Sequence, residues 1–236
     1  MLSNSIMSLI DNCSIFNQSC LLCKTQNSAF GLCEDCKAML PRLPDAHCLL
    51  CADPVATGHC CGSCQRSPPH FDALHAPYLF GYPLNAIIYA MKYGKRLELT
   101  GVLHHLMSEF AAKTSLYSDM VLPVPLSKER LAQRGFNQSD SLAQAIAVTM
   151  HSRFSPTLCW RKRNTVPQAS LGRAERHRNL RNAFGVKQRI DGLSVAIVDD
   201  VATSGTTLSA LAEILKKQGA KRVDAWVLCR ASFPKT

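Results

Sequence analysis

The stretch VAIVDDVATSGTTL, Val195 to Leu208, decides the fold. Four apolar residues form a buried parallel strand, and two carboxylates, Asp199 and Asp200, stand at its carboxyl end. Open α/β sheets bind their ligands there. The residues Thr203, Ser204, Gly205, Thr206 and Thr207 then offer successive backbone N–H groups, a flexible glycine and four hydroxyls. They open a helix, whose positive end favours a phosphate. Adjacent carboxylates followed by a phosphate cradle suit a ligand that carries a sugar diol and a phosphate on the same sugar. A Walker B acidic pair would need a P-loop, yet the only Gly-Lys, Gly94-Lys95, is followed by Arg96 and lacks the earlier glycine. No G-x-G-x-x-G follows an early strand, so a dinucleotide site is not indicated. The plain alternative is a buried strand that runs into an ordinary surface turn.

Outward from this stretch, strands and helices alternate. RVDAWVLCR from Arg222 reads as a last strand, and residues 206–219 as the helix before it. Upstream, DMVLPVPL from Asp119 is a short buried strand ending in prolines, followed by helix-rich chain to Met150. Residues 83–93 and 97–113 have helical spacing, FDALHAPYLFGY (Phe71 to Tyr82) is strand-like, and residues 156–163 form a further strand. Residues 170–184 are an Arg-rich helix or loop. The alternation predicts an α/β fold with a mostly parallel sheet flanked by helices.

Charge and cysteine divide the 236 residues unevenly. Residues 1–64 carry three bases and five acids, a balance of −2, whereas the rest carry 24 and 12, or +12. Ten of the twelve cysteines lie at or before Cys64, and Pro68-Pro69 marks the exit from this head. The expected organisation is a leading extension over 1–17, a cysteine-rich domain over 18–67 and an α/β domain over 70–236. With 47% hydrophobic residues the chain can bury a core, so wholesale disorder is excluded. No apolar run approaches the roughly 18 residues that a membrane span needs. The first twenty residues lack the basic start and apolar stretch of a secretory signal, which points to the cytoplasm.

Within the head, four Cys-x-x-Cys pairs repeat: Cys20/Cys23 and Cys33/Cys36, then Cys48/Cys51 and Cys61/Cys64, offset by 28 residues. A Cys-x-x-Cys turn presents two thiolates to one ion, and two turns complete a tetrahedral zinc site. Two structural Zn²⁺ ions are therefore expected, supplying folding free energy to a segment with little core. Disulfides fit poorly without a secretion signal, and a redox motif does not need four copies. Cys60 breaks the repeat and is expected to be a bystander, while His47 and His59 are weaker candidates to replace a thiolate.

The Val195–Leu208 stretch resembles the signature for phosphoribosyl pyrophosphate (PRPP) of type I phosphoribosyltransferases. Two further blocks, VLPVPLSKERLAQRGFNQSDSLA (Val121 to Ala143) and TVPQASLGRAERHRNLRNAF (Thr165 to Phe184), resemble the ComF/GntX competence and DNA-utilisation family, as do IIYAMKYGKR and the double zinc ribbon. The resemblance implies a phosphoribosyltransferase-like domain that binds PRPP with Mg²⁺. In it Asp199 and Asp200 contact the ribose hydroxyls, and Thr203 to Thr207 hold the 5′-phosphate. It places Val124, Pro125 and Leu126 at the pyrophosphate loop, with Arg130 downstream and Lys92 as a weaker candidate. Arg173 and Arg176 are the candidates on a mobile loop that closes over PRPP.

Phosphoribosyl transfer demands cations for the pyrophosphate. Residues 161–189 supply nine bases against Glu175 alone. The same cationic track, with Trp160, Phe154 and Phe184 as stacking platforms, suits single-stranded DNA. Three functions remain open: a phosphoribosyltransferase with an unknown acceptor, acting in DNA uptake or utilisation; a PRPP-responsive single-stranded-DNA-binding protein without turnover; and a scaffold that docks proteins of the DNA-uptake machinery.

Overall fold

The computed structural model describes residues 19–25, 30–94, 96–162 and 183–232. They fall into two compact units, one up to Leu40 and the other from Pro41 onward. The division lies between the two cysteine repeats. In the smaller unit Cys33 caps a five-residue helix, α1 (Glu34–Ala38), and Leu32, Cys36 and Leu40 are buried. The larger unit opens with the second repeat, where Cys61 caps α2 (Gly62–Arg66) in the same extended conformation.

The larger unit continues through β1 (Ala73–His75), β2 (Tyr78–Leu79), α3 (Leu84–Tyr93), a 3₁₀ turn (Leu97–Leu99) and α4 (Thr100–Ala112). Then follow β3 (Met120–Pro123), α5 (Lys128–Arg134), α6 (Gln138–Thr149), β4 (Arg153–Phe154), β5 (Cys159–Arg161) and β6 (Phe184–Val186). The chain closes with β7 (Ser194–Ala202), α7 (Thr206–Lys217) and β8 (Arg222–Arg230). Six strands form one parallel sheet in the order β1-β8-β7-β3-β4, with β2 extending the β1 edge of β8. β5 and β6 pair antiparallel and bracket residues 162–183.

β7 lies at the centre because it can be covered on both faces. On one face Val195 and Ile197 join Val223, Ala225 and Leu122 beneath Leu208, Leu211 and Leu215 of α7. The alternate residues Ala196, Val198, Trp226 and Leu228 are buried as well, and Phe110 of α4 meets Trp226 edge-on at 5.6 Å. An unbroken apolar run is what a doubly covered strand requires. Among the described residues no helix is long and apolar enough to cross a membrane.

Candidate functional site

Asp199 and Asp200 end the apolar run of β7, and different partners hold each. Asp200 is 3% exposed and forms an ion pair with Lys92 of α3. Burial alone would lower the Lys92 pKa, but the Asp200 and Asp199 carboxylates outweigh it and raise it. A lysine that ends a helix would ordinarily be solvated; this one is drawn in by a carboxylate 108 residues away in sequence. Asp199 Oδ1 accepts from Ser139 Oγ at 2.8 Å and from the Asp200 N–H at 2.9 Å. Burial and the adjacent Asp200 carboxylate push the Asp199 carboxyl up to about 7, against the pull of Lys92 and Ser139. Its Oδ2 accepts no hydrogen bond among the described residues, which leaves one oxygen for a hydroxyl or a cation-bound water.

The loop after β7 turns through Gly205, whose φ of +71° lies in the left-handed region and lets α7 start at once. Among the described residues the N–H groups of Thr203, Ser204 and Gly205 donate no hydrogen bond. Ser204 and Thr206 pair their hydroxyls at 2.7 Å. Three unused N–H groups ahead of a twelve-residue helix make an anion cradle.

A second wall comes from the segment after β3. The Val124 N–H donates to Val198 O at 2.8 Å, which keeps the loop at Val124, Pro125 and Leu126 beside the end of β7. Asn137 caps α6: its Oδ1 accepts from the Ser139 N–H, while its Nδ2 donates to Val124 O and Asp140 Oδ1. Arg134 donates to Gln138 and to the Tyr93 hydroxyl, with its guanidinium 5.4 Å from the centre of the Tyr93 ring. The Gly-Phe-Asn-Gln-Ser stretch thus works as a brace that delivers Ser139 to Asp199.

Arg161 of β5 adds a cation that the sequence did not single out. Its guanidinium stands over the Phe184 ring at 5.5 Å, and its pKa is lowered by burial and by the like charge of Arg130, with Asp199 opposing. The Arg161 guanidinium therefore feels both the charge of Arg130 and that of the Asp199 carboxylate. Phe184, expected as a stacking platform, is 1% exposed and belongs to the core, because β6 turns it inward. Arg173 and Arg176 lie outside the described residues, as does the 1–17 extension.

Both cysteine sets converge. The sulfurs of Cys20, Cys23, Cys33 and Cys36 lie within 4.8 Å of one another, as do those of Cys48, Cys51, Cys61 and Cys64. Four thiols at that spacing, with no disulfide among them, form a donor set that fits zinc. Burial pushes the Cys20 thiol up, yet the N–H groups of Cys23, Cys33 and Leu22 more than offset it and hold it at about 6. Cys48 is likewise held at about 6, against burial, by N–H groups of Cys61, Cys51 and Leu50. The Cys23 thiol is lowered too, by hydrogen bonds from Thr25, so each cluster contains at least one thiol poised to ionise. The Cys60 thiol points toward the Cys61 carbonyl and stands outside the set, while His47 Nδ1 engages Pro44 O at 2.8 Å.

A parallel sheet with an acidic pair and an anion cradle at the end of its central strand defines a phosphoribosyltransferase-type domain. The model of the phosphoribosyl transferase domain family matches residues 141–233. The chain belongs to the ComF/GntX family of competence and DNA-utilisation proteins. It is 33% identical over 219 residues to the DNA utilization protein YhgH of Escherichia coli O6:H1, covering 89% of this chain and 96% of that protein. It is 28% identical over 229 residues to the competence protein F of Haemophilus influenzae, covering 92% and 99%. Among solved structures, the glutamine PRPP amidotransferase of B. subtilis is similar at a TM-score of 0.42 and 19% identity, over 59% of this chain and 30% of that one.

Proposed function

We propose that the chain binds PRPP at the end of β7 and acts in DNA uptake or utilisation, as a phosphoribosyltransferase whose acceptor is unknown. The observation that carries this reading is the juxtaposition of the Asp199/Asp200 pair with the three unused N–H groups of Thr203, Ser204 and Gly205. A carboxylate oxygen left open on Asp199 can accept a ribose hydroxyl, and the cradle can take the 5′-phosphate. Arg130 and Arg161 supply positive charge where pyrophosphate would leave. Mg²⁺, when bound with PRPP, would neutralise pyrophosphate charge, and the open oxygen of Asp199 fits a water of its hydration shell. Arg173 and Arg176 remain our candidates for closing over the pyrophosphate. The family names support the DNA context.

Calorimetry of Mg²⁺-PRPP tests this. Asp199→Asn removes the charge that anchors the diol, and affinity should fall at least tenfold, about 1.4 kcal/mol, with the fold retained. Unchanged affinity would end the reading. Release of pyrophosphate with a panel of acceptors then separates turnover from binding alone.

A second reading, PRPP-responsive binding of single-stranded DNA, is favoured by an aromatic ladder away from the segment first suspected. Phe80, Tyr89 and Tyr93 follow one another at 6.2 and 5.9 Å, the last two nearly parallel, and Arg134 caps Tyr93. Tyr89 and Tyr93 are exposed. Exposed rings beside a cation are what unpaired bases stack upon. Replacing both tyrosines by alanine should weaken oligonucleotide binding measured by anisotropy and spare PRPP binding; equal DNA affinity would reject the ladder.

A further inference from the structure

Arg230 ends β8, where an arginine would ordinarily reach into water. Here it is 8% exposed and its guanidinium is engaged on every side. Nε donates to Cys51 O at 2.8 Å, and Nη2 faces Asp53 Oδ1 at 3.4 Å. Nη1 donates to the carbonyls of Ala202, at 3.1 Å, of Thr203 and of Ala231. Cys51 and Asp53 belong to the turn of the second cysteine cluster, in which the Cys48 N–H donates to Asp53 O at 2.8 Å. Ala202 and Thr203 lead into the phosphate cradle. One buried cation therefore joins a metal-binding turn to an anion-binding loop. A cavity of about 230 Å³ runs between them, with Cys51, Cys61 and Cys64 on one wall and Thr203, Ser204 and Thr206 on the other.

The bonds have a directional consequence. The Ala202 carbonyl and the Thr203 N–H belong to one planar trans peptide, and the Thr203 carbonyl and the Ser204 N–H to the next. In such a unit the C=O and N–H point in opposite directions. Fixing both carbonyls on Arg230 therefore holds the Thr203 and Ser204 N–H groups on the far side, together and ready for an anion. If the cysteine turn loosens, the Cys51 and Asp53 anchors loosen with it, and the Thr203–Ser204 peptide regains freedom to rotate, while the Ala231 N–H still holds the Ala202 carbonyl at 2.8 Å.

We propose that Arg230 is a positioning residue that couples metal at the Cys48/Cys51/Cys61/Cys64 cluster to phosphate binding at Thr203–Thr206, so that loss of the ion weakens PRPP binding. The proposal rests on the reading of that loop as the PRPP phosphate site. Binding free energies are reciprocal, so PRPP must in turn hold metal in the second cluster. The first cluster, which belongs to the other compact unit, serves as the control.

The test uses the full-length, zinc-loaded chain and a chromogenic chelator. In Cys33→Ser, where release reports the second cluster, saturating Mg²⁺-PRPP should slow zinc loss at least fivefold. In Cys61→Ser, where release reports the first, it should change nothing. Adding Arg230→Gln to Cys33→Ser should abolish the slowing while the second ion remains bound. Hydrogen exchange of the Thr203–Leu208 amides, read without any ligand, should quicken in both Arg230→Gln and Cys61→Ser, and stay unchanged in Cys33→Ser. PRPP binding seen by calorimetry with no slowing in Cys33→Ser would overturn the coupling and leave the PRPP reading intact. Absence of PRPP binding would overturn the PRPP reading, and the amide exchange then decides the link by itself: equal exchange in all variants overturns it. Should Arg230→Gln fail to fold, the contrast between Cys33→Ser and Cys61→Ser still decides.

Discussion

Removing the Lys92 ammonium should damage the protein more than removing both members of its pair. The Lys92 side chain is 16% exposed and the Asp200 side chain 4%, so both charges have left most of their water behind. At an effective dielectric of about 20, two unit charges about 4 Å apart attract by about 4 kcal/mol, and closer contact adds to that. Lys92→Met leaves Asp200 with the Val201 N–H at 3.0 Å and no counter-ion. A buried carboxylate stripped of its partner costs about 3 kcal/mol. Adding Asp200→Asn keeps an oxygen for the Val201 N–H and removes the stranded charge, so the double variant should lose only about 1 kcal/mol. The coupling between the two sites is then at least about 2 kcal/mol. Urea unfolding with zinc held saturating is the assay, followed through the fluorescence of Trp226, which is buried in the sheet of the larger unit. Losses that simply add, with the double variant weaker than Lys92→Met, would refute the reasoning and make Lys92 a ligand-facing cation.

Metal analysis should return about two zinc ions per chain, one fewer in Cys33→Ser and one fewer in Cys61→Ser, because each set of four thiols is complete on its own. Asp199 holds its proton to about 7 in the folded chain, well above its unfolded value. This group therefore withdraws stability as pH rises through the acidic range toward 7, while PRPP affinity should strengthen from pH 6 to 8; Asp199→Asn should flatten both slopes in melting and calorimetric series. A Cβ on Gly185 would collide with the Trp160 ring across the β5–β6 pair. Gly185→Ala should cost about 1–3 kcal/mol and shift the Trp160 emission. Asn137→Ala removes the cap of α6 and the tie to Val124, so a loss of about 1–2 kcal/mol and weaker PRPP binding are expected by urea titration and calorimetry.

The parts legible in the sequence were those whose signal is local. Val195 to Leu208 carries its strand, acids and cradle in fourteen consecutive residues, and the cysteine pairs declare their partners by spacing. What escaped depends on distant chain. β6 is three residues with a glycine in the middle, too short for any period to register. Ser139 gives no hint of Asp199 sixty residues on, and Arg161 looked like one of nine solvated bases. Arg230 was hidden most thoroughly, since its acceptors lie 27 and 179 residues away. One signal could have raised it: an arginine that closes the apolar run Ala225 to Cys229 and is followed by Ala231.

The order of strands across the sheet has a consequence for how the protein is made. β8, the last strand in the chain, pairs with β1 and β2 from near the start and with β7. Ala73 meets Asp224, and Asp72 accepts from the Val223 N–H across 151 residues. During synthesis the early strands therefore wait without their partner until Arg222–Arg230 has left the ribosome, many seconds at ordinary elongation rates. Contacts of such span fold slowly and expose apolar chain while they wait. The two early strands are only three and two residues long, separated by Ala76 and Pro77. So broken an edge offers a stranger little to pair with in the interval, and the nascent chain meets its slow closure with a blunt, interrupted template.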